Sequence, residues 1–153
     1  MREHPQTQHR WTYPVRQVLR NYDGDSITCL LDMGFKVCLE KTVRINGVDT
    51  PELRGGTPLL RAAARYAQGK VAEFLDSGPL GEVLFISYKW SDTDQYGRPI
   101  GDIEVDGKSL AYYILNTGLG VPYDGGSRRT EEHQAALVAR AEKLVAEGKI
   151  TVE

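Results

Sequence analysis

The sequence predicts an α+β protein with a mainly β core, in which five strands close a small barrel and three helices attach to it. Stretches rich in aromatic and β-branched residues recur along the chain, separated by turns built from Gly, Pro and Asp. One long amphipathic helical pattern follows the third of these stretches, and two more helical patterns come at the end. This order is the layout of an OB-type barrel.

Residues 1–10 are polar and basic and read as a flexible arm, which leaves 11–153 as a single domain. Residues 11–19 form the first expected strand. Asn21-Tyr22-Asp23-Gly24-Asp25 reads as a tight turn in which Gly24 supplies a positive φ. Residues 26–31 are the second strand, Asp32-Met33-Gly34 a turn and 35–46 the third strand, so that the two make a hairpin. Pro51 holds Thr50 extended and stops the chain from continuing as a strand. Thr57 is an expected N-cap with Pro58 in the first helical position. The helix then runs to about residue 75, with Leu60, Ala64, Ala67, Val71 and Phe74 on one face. Residues 82–89 and 99–105 are the fourth and fifth strands, the last closed by an Asp106-Gly107 turn. Residues 109–116 form a short helix with Gly118 just beyond its end. Residues 123–129 are a Gly- and Ser-rich loop. Thr130 caps a final helix to about residue 147, with an apolar stripe of Ala135, Val138, Leu144 and Val145.

A chain of 153 residues is one domain's worth. Folding at that size buries about 68–70% of the unfolded surface, so no disulfide or metal is needed to hold the core. An apolar content of 41% and a charged content of 26% argue against a disordered chain or a coiled coil. No run of about 18 apolar residues exists, so no membrane partner is expected. The first fifteen residues lack the apolar stretch of a leader, which implies a cytoplasmic chain, or a secreted one if a leader has been removed. A net charge of −2 points to no nucleic-acid partner, so any such function must rest on a local site. Cys29 and Cys38 lack the spacing of a zinc site. They read as two reduced thiols, with pairing across the hairpin as the alternative.

Three acids stand out by position: Asp25 beginning the second strand, Asp49 just after the third, and Glu52 three residues on. Each has an ordinary reading in turn chemistry. Together, at strand ends that a barrel brings to one place, they are hard oxygen ligands suited to Ca²⁺ or Mg²⁺. Asp25, Asp49 and the backbone carbonyl of Thr50 would leave room for water and a substrate oxygen. Arg44 in the third strand and Arg98 before the fifth have an ordinary reading as exposed edge residues. Their planar forks also match a phosphate, and beside a divalent ion they would neutralise charge on a phosphoryl group. His4, His9 and His133 read as surface residues. Neither a Gly-rich phosphate loop nor a GxSxG elbow is present.

Asp23-Gly24-Asp25-Ser26, the run from Val43 to Glu52 (VRINGVDTPE) and Asp94-Gln95-Tyr96-Gly97-Arg98 occur in order at compatible separations. In this they closely resemble the thermonuclease (staphylococcal nuclease-like) family. Residues 110–120 resemble that family's helix ending in Gly-Leu-Ala, and the similarity covers about residues 14–123. The resemblance implies a five-stranded OB-type barrel with three helices. It also implies a Ca²⁺-dependent phosphodiesterase that acts on DNA and RNA, favours single strands and leaves 3′-phosphate ends. Mg²⁺ or Mn²⁺ are alternative ions, and a monomer is expected. By position Asp25, Asp49 and Thr50 would hold the metal, Glu52 would activate water, and Arg44 and Arg98 would clamp the phosphate. Tyr96 would line the nucleotide pocket, with Tyr123 as a candidate second aromatic. The chain departs from the pattern in Ser26 for Thr, a longer segment at 34–42, a short loop at 53–57 and an acidic net charge. The alternatives are a non-catalytic OB-type module that binds single-stranded nucleic acid, and a two-carboxylate glycosidase, which has no use for paired arginines.

Overall fold

In the computed structural model, which describes residues 11–87, 96–128 and 130–152, the barrel is organised by one long bent strand. The elements run β1 (Trp11–Asp23), β2 (Ser26–Asp32), β3 (Cys38–Ile45), β4 (Val48–Asp49), α1 (Pro58–Leu75), β5 (Val83–Ser87), β6 (Ile100–Val105), β7 (Lys108–Ser109), α2 (Leu110–Asn116), β8 (Val121–Pro122) and α3 (Glu131–Ala146). Strand β1 pairs with β5 through residues 11–14 and with β2 through residues 15–23. Register shifts after Val15, Val18 and Asn21 bend it from one partner to the other, because each extra residue increases the local twist. The sheet order β3-β2-β1-β5-β6 closes on itself through a parallel β3–β6 pairing, so the expected five-stranded OB-type barrel with three helices is what the chain forms.

Closure depends on a missing side chain. Gly101 pairs with both Ser87 and Ile45, and a Cβ there would lie 2.0 Å from the Ile86 carbonyl oxygen. The barrel interior is filled by Ile27, Val43, Ile45, Phe85, Ile103 and Val105, all at most 1% exposed. Each such side chain contributes about 1.5–3 kcal/mol by leaving water. Val71 and Phe74 of α1, and Leu110 and Ile114 of α2, close the ends of this core. A smaller cluster of Ala63, Ala141 and Leu144 joins α1 to α3.

The helix signals act as expected. The Thr57 hydroxyl accepts from the Leu60 N–H, with Pro58 in the first turn, and Ser109 and Thr130 cap α2 and α3 in the same way. Asp106 and Gly107 both adopt positive φ, making the tight β6–β7 turn.

Several expectations need correction. Gly24 is not left-handed; its role is close approach, since a Cβ would meet Thr50 Cγ2 at 3.1 Å. The third strand starts at Cys38 rather than residue 35, because Phe35 and Lys36 take positive φ in a Gly34–Val37 turn. That turn leaves Phe35 fully exposed. The α3 stripe runs through Leu137, Ala141 and Leu144, while Ala135 and Val145 face solvent. Cys29 lies opposite Lys41 and Cys38 opposite Asp32, so the two thiols are not cross-strand partners, and both are free. Burial pushes the Cys29 thiol up to about 12. The expected arm at 1–10, Asp94, Gln95 and the end of the fourth strand lie outside the described residues. Among the described residues no helix is long and apolar enough to cross a membrane.

Gly101→Ala is expected to destabilise the protein by about 3 kcal/mol, the upper end of overpacking, because backbone rather than a flexible side chain must move. Chemical denaturation measures this, and a change under about 0.5 kcal/mol would refute the closure argument.

Candidate active site

Three pairings deliver the acidic and basic residues to one corner of the barrel. The β2–β3 register sets Ser26 opposite Arg44, and the Ile45 N–H donates to the Asp25 carbonyl at 2.9 Å, which puts Arg44 beside Asp25. The closing β3–β6 pairing has the Arg44 N–H donating to the Pro99 carbonyl at 2.8 Å, one residue from Arg98. The short β4–β8 ladder sets Asp49 opposite Val121. Here Gly120 is required, for its Cβ would stand 2.5 Å from the Asp49 carbonyl oxygen.

Arg44 is 7% exposed and surrounded by acceptors. Its guanidinium donates to the Val48 carbonyl at 2.9 Å and the Ile45 carbonyl at 3.1 Å, and lies 3.2 Å from Asp25 Oδ2 and 3.5 Å from Asp49 Oδ1. It is therefore an organising buried cation, not an exposed edge residue. Asp25 Oδ2 also accepts the Thr50 N–H at 2.9 Å, so Asp25, Asp49 and Thr50 do come together. Ser26 Oγ accepts from Arg98 Nη1 at 2.9 Å and lies 3.3 Å from Asp25 Oδ1, linking the second arginine to the same acid.

Two residues read as unremarkable in the sequence belong to this corner. Arg128 forks onto Asp49, with Nε 2.9 Å from Oδ2 and Nη2 2.7 Å from Oδ1, while its Nη1 donates to Glu52 at 2.7 Å. His133 Nε2 lies 2.6 Å from Asp49 Oδ2 and its side chain is 12% exposed, so it is not a surface residue. The available signal was the Thr130 cap. It accepts the His133 N–H at 3.2 Å and so fixes that residue in the first turn of α3, and Gln134 Nε2 donates to the Arg128 carbonyl.

A cleft of about 930 Å³ opens beside the corner, lined by Arg44, Glu52, Tyr96, Arg98, Tyr123 and Arg128 among others. Tyr96 is exposed, with the Arg98 guanidinium 5.3 Å from its ring centroid. The Tyr123 ring lies 5.7 Å from Arg44 and 5.4 Å from the His133 ring, and its hydroxyl donates to the Gly126 carbonyl at 2.6 Å. Both tyrosines expected near the site therefore line the cleft.

Burial dominates the electrostatics of this corner. Burial raises the Asp49 carboxyl above its ordinary value, and nearby Asp25 adds to the shift, against the opposing His133, Arg128 and Arg44. Burial likewise raises Asp23, with Asp25 and Glu52 adding to it and the Leu53 N–H opposing it. Thr50 Oγ1, fully buried, has no hydrogen-bond partner among the described residues. Among those residues no three His, Cys, Asp or Glu side chains form a metal cluster on their own. Two carboxylates with a backbone carbonyl and an orphaned hydroxyl nearby make an all-oxygen donor set, which fits a hard divalent cation rather than zinc.

A raised carboxylate pKa has a definite sign. The folded state takes up its proton at higher pH than the unfolded state, so the contribution to stability is complete below the unfolded value of about 3.9. It is lost as pH rises through the folded value. In metal-free buffer, Asp23→Asn is therefore expected to gain stability relative to wild type at pH 7, and the gain should shrink as pH falls toward 4. Urea denaturation across that range checks it; an advantage that grows on acidification would contradict the burial argument.

Set against known proteins, this chain matches no family model and no curated protein.

Proposed function

We propose that this protein is a metal-dependent phosphodiesterase of the thermonuclease type, one that hydrolyses DNA and RNA with a preference for single strands. The observation that carries the reading is the convergence of Asp25, Arg44, Asp49, Glu52 and Arg98, which are scattered over 74 positions of sequence, on one corner beside a cleft that holds Tyr96 and Tyr123. A binding module has no need to bury two carboxylates against a guanidinium behind such a cleft.

Asp25, Asp49 and the Thr50 carbonyl would hold the cation, Ca²⁺ in the first instance and Mg²⁺ or Mn²⁺ as alternatives. When bound, it would supply positive charge to the non-bridging phosphoryl oxygens. Glu52, half exposed at the cleft, is the group to orient a water and take its proton as the oxygen attacks phosphorus. The P–O5′ bond breaks, leaving a 3′-phosphate, and the departing oxygen takes a proton from solvent to become a 5′-hydroxyl. Arg98, half buried at the cleft wall, would donate to the phosphoryl oxygens as their charge grows. Arg44 is bound to five acceptor atoms, so its main task would be to hold the two metal-binding carboxylates in place while adding charge behind the phosphate. Tyr96 and Tyr123 offer ring faces to unstacked bases, which suits single strands.

Cleavage of a labelled single-stranded DNA should occur in Ca²⁺ and stop in EGTA. Glu52→Gln is expected to lower the rate at least about 10²-fold, the lower range for loss of a positioned general base. Arg98→Ala should lower it by about 10²–10³-fold, the range for one preorganised donor. Variants as fast as wild type would sink these roles. Absence of cleavage in any of the three ions, with DNA still bound, would favour the binding module.

A further inference from the structure

Asp49 has two carboxylate oxygens, and the structure shows both taken. Arg128 spans them with Nε and Nη2 at 2.9 and 2.7 Å, and His133 shares Oδ2. The Asp49 side chain is completely buried, whereas that of Arg128 is 33% exposed and lines the cleft. A cation arriving from solvent therefore meets the guanidinium first. A hard divalent ion needs oxygen lone pairs at about 2.3–2.6 Å, and one bound to either Asp49 oxygen would sit beside a like charge that nothing separates from it.

We propose that Arg128 is the resident counter-cation of this corner and sets its affinity for the divalent ion, because guanidinium and metal ion compete for Asp49. The inference rests on the nuclease reading for its ligand set, Asp25, Asp49 and Thr50. It adds a coupling that the reading lacks. The third nitrogen of Arg128 holds Glu52 at 2.7 Å, so the displacement that opens Asp49 to the ion also releases the general base. Ion binding and base availability become one event. The backbone need not move for this. The Arg128 carbonyl is held by Gln134 at the start of α3, and only the side chain must swing from the carboxylates toward the cleft, where a phosphate would receive it.

The test is calorimetric titration with Ca²⁺, repeated with Mn²⁺, on wild type, Arg128→Gln, Arg128→Lys and Asp49→Asn, with melting curves in EGTA and in the ion. Arg128→Gln should bind the ion at least tenfold tighter than wild type. It should melt lower in EGTA, where Asp49 has lost its fork, and gain more from the ion. Arg128→Lys keeps the charge without the fork and should tighten binding by less. Asp49→Asn should bind neither ion measurably. Equal or weaker ion binding by Arg128→Gln, or wild-type binding by Asp49→Asn, overturns the proposal; a lower melting temperature with unchanged affinity would assign Arg128 a purely structural role. Tighter binding without DNA cleavage by any variant leaves the competition standing and removes the nuclease reading. Cleavage with unchanged ion affinity does the reverse, and no ion binding by any of the four proteins removes both.

Discussion

The buried guanidinium of Arg44 is the constraint on which this end of the barrel depends. A cation removed from water is tolerated only when its donors are matched, and truncating either member of such a pair leaves an uncompensated charge that costs about 3–5 kcal/mol. Arg44 meets that demand with backbone carbonyls of its own strand and of β4, and with two carboxylates, one from the β1–β2 turn and one from β4. The β2–β3 register, the Asn46-Gly47 turn and the β4–β8 ladder must all be in place for those partners to be present at once. Local geometry is thus tied to barrel closure through one side chain.

The same corner shows how glycine carries function without contributing a side chain. Gly24 admits Thr50 beside the Asp25 turn, Gly101 admits the β5 backbone at the closing seam, and Gly120 admits the Asp49 carbonyl. At Gly101 and Gly120 the backbone approaches too closely for any side chain, and at Gly24 a Cβ would press tightly on Thr50. The acids therefore sit where the fold is least able to shift. Preorganisation of charge, the largest single source of rate enhancement in most enzymes, needs that rigidity.

Much of this was legible in the sequence, for identifiable reasons. Helix starts were legible because Thr57, Ser109 and Thr130 act locally, each bonding to a backbone N–H three residues on. The Asp25, Arg44, Asp49, Glu52 and Arg98 set is legible chiefly through the resemblance of its motifs, and it converges because strand ends of a small barrel are close in space. Arg128 and His133 are not legible, because their partner Asp49 lies 79 and 84 positions away and no periodicity links them to it. His133 also escapes notice for a second reason. The apolar stripe of α3 is offset from the expected one, and the true stripe through Leu137, Ala141 and Leu144 begins, one turn earlier, at His133 itself. A glycine between two aspartates reads as a turn conformer, while the structure uses the small size of Gly24 instead.

Asp49 lies in the first third of the chain, yet the groups that fork and cap its carboxylate come from the last helix and from Arg128, two residues before its cap. During synthesis, the barrel strands through β6 emerge before Arg128 and His133 exist outside the ribosome. Closure of the acidic corner becomes a late step that waits for α3 to dock on α1 through Ala63, Ala141 and Leu144. Completion of the charged interior is thereby tied to the docking of α3.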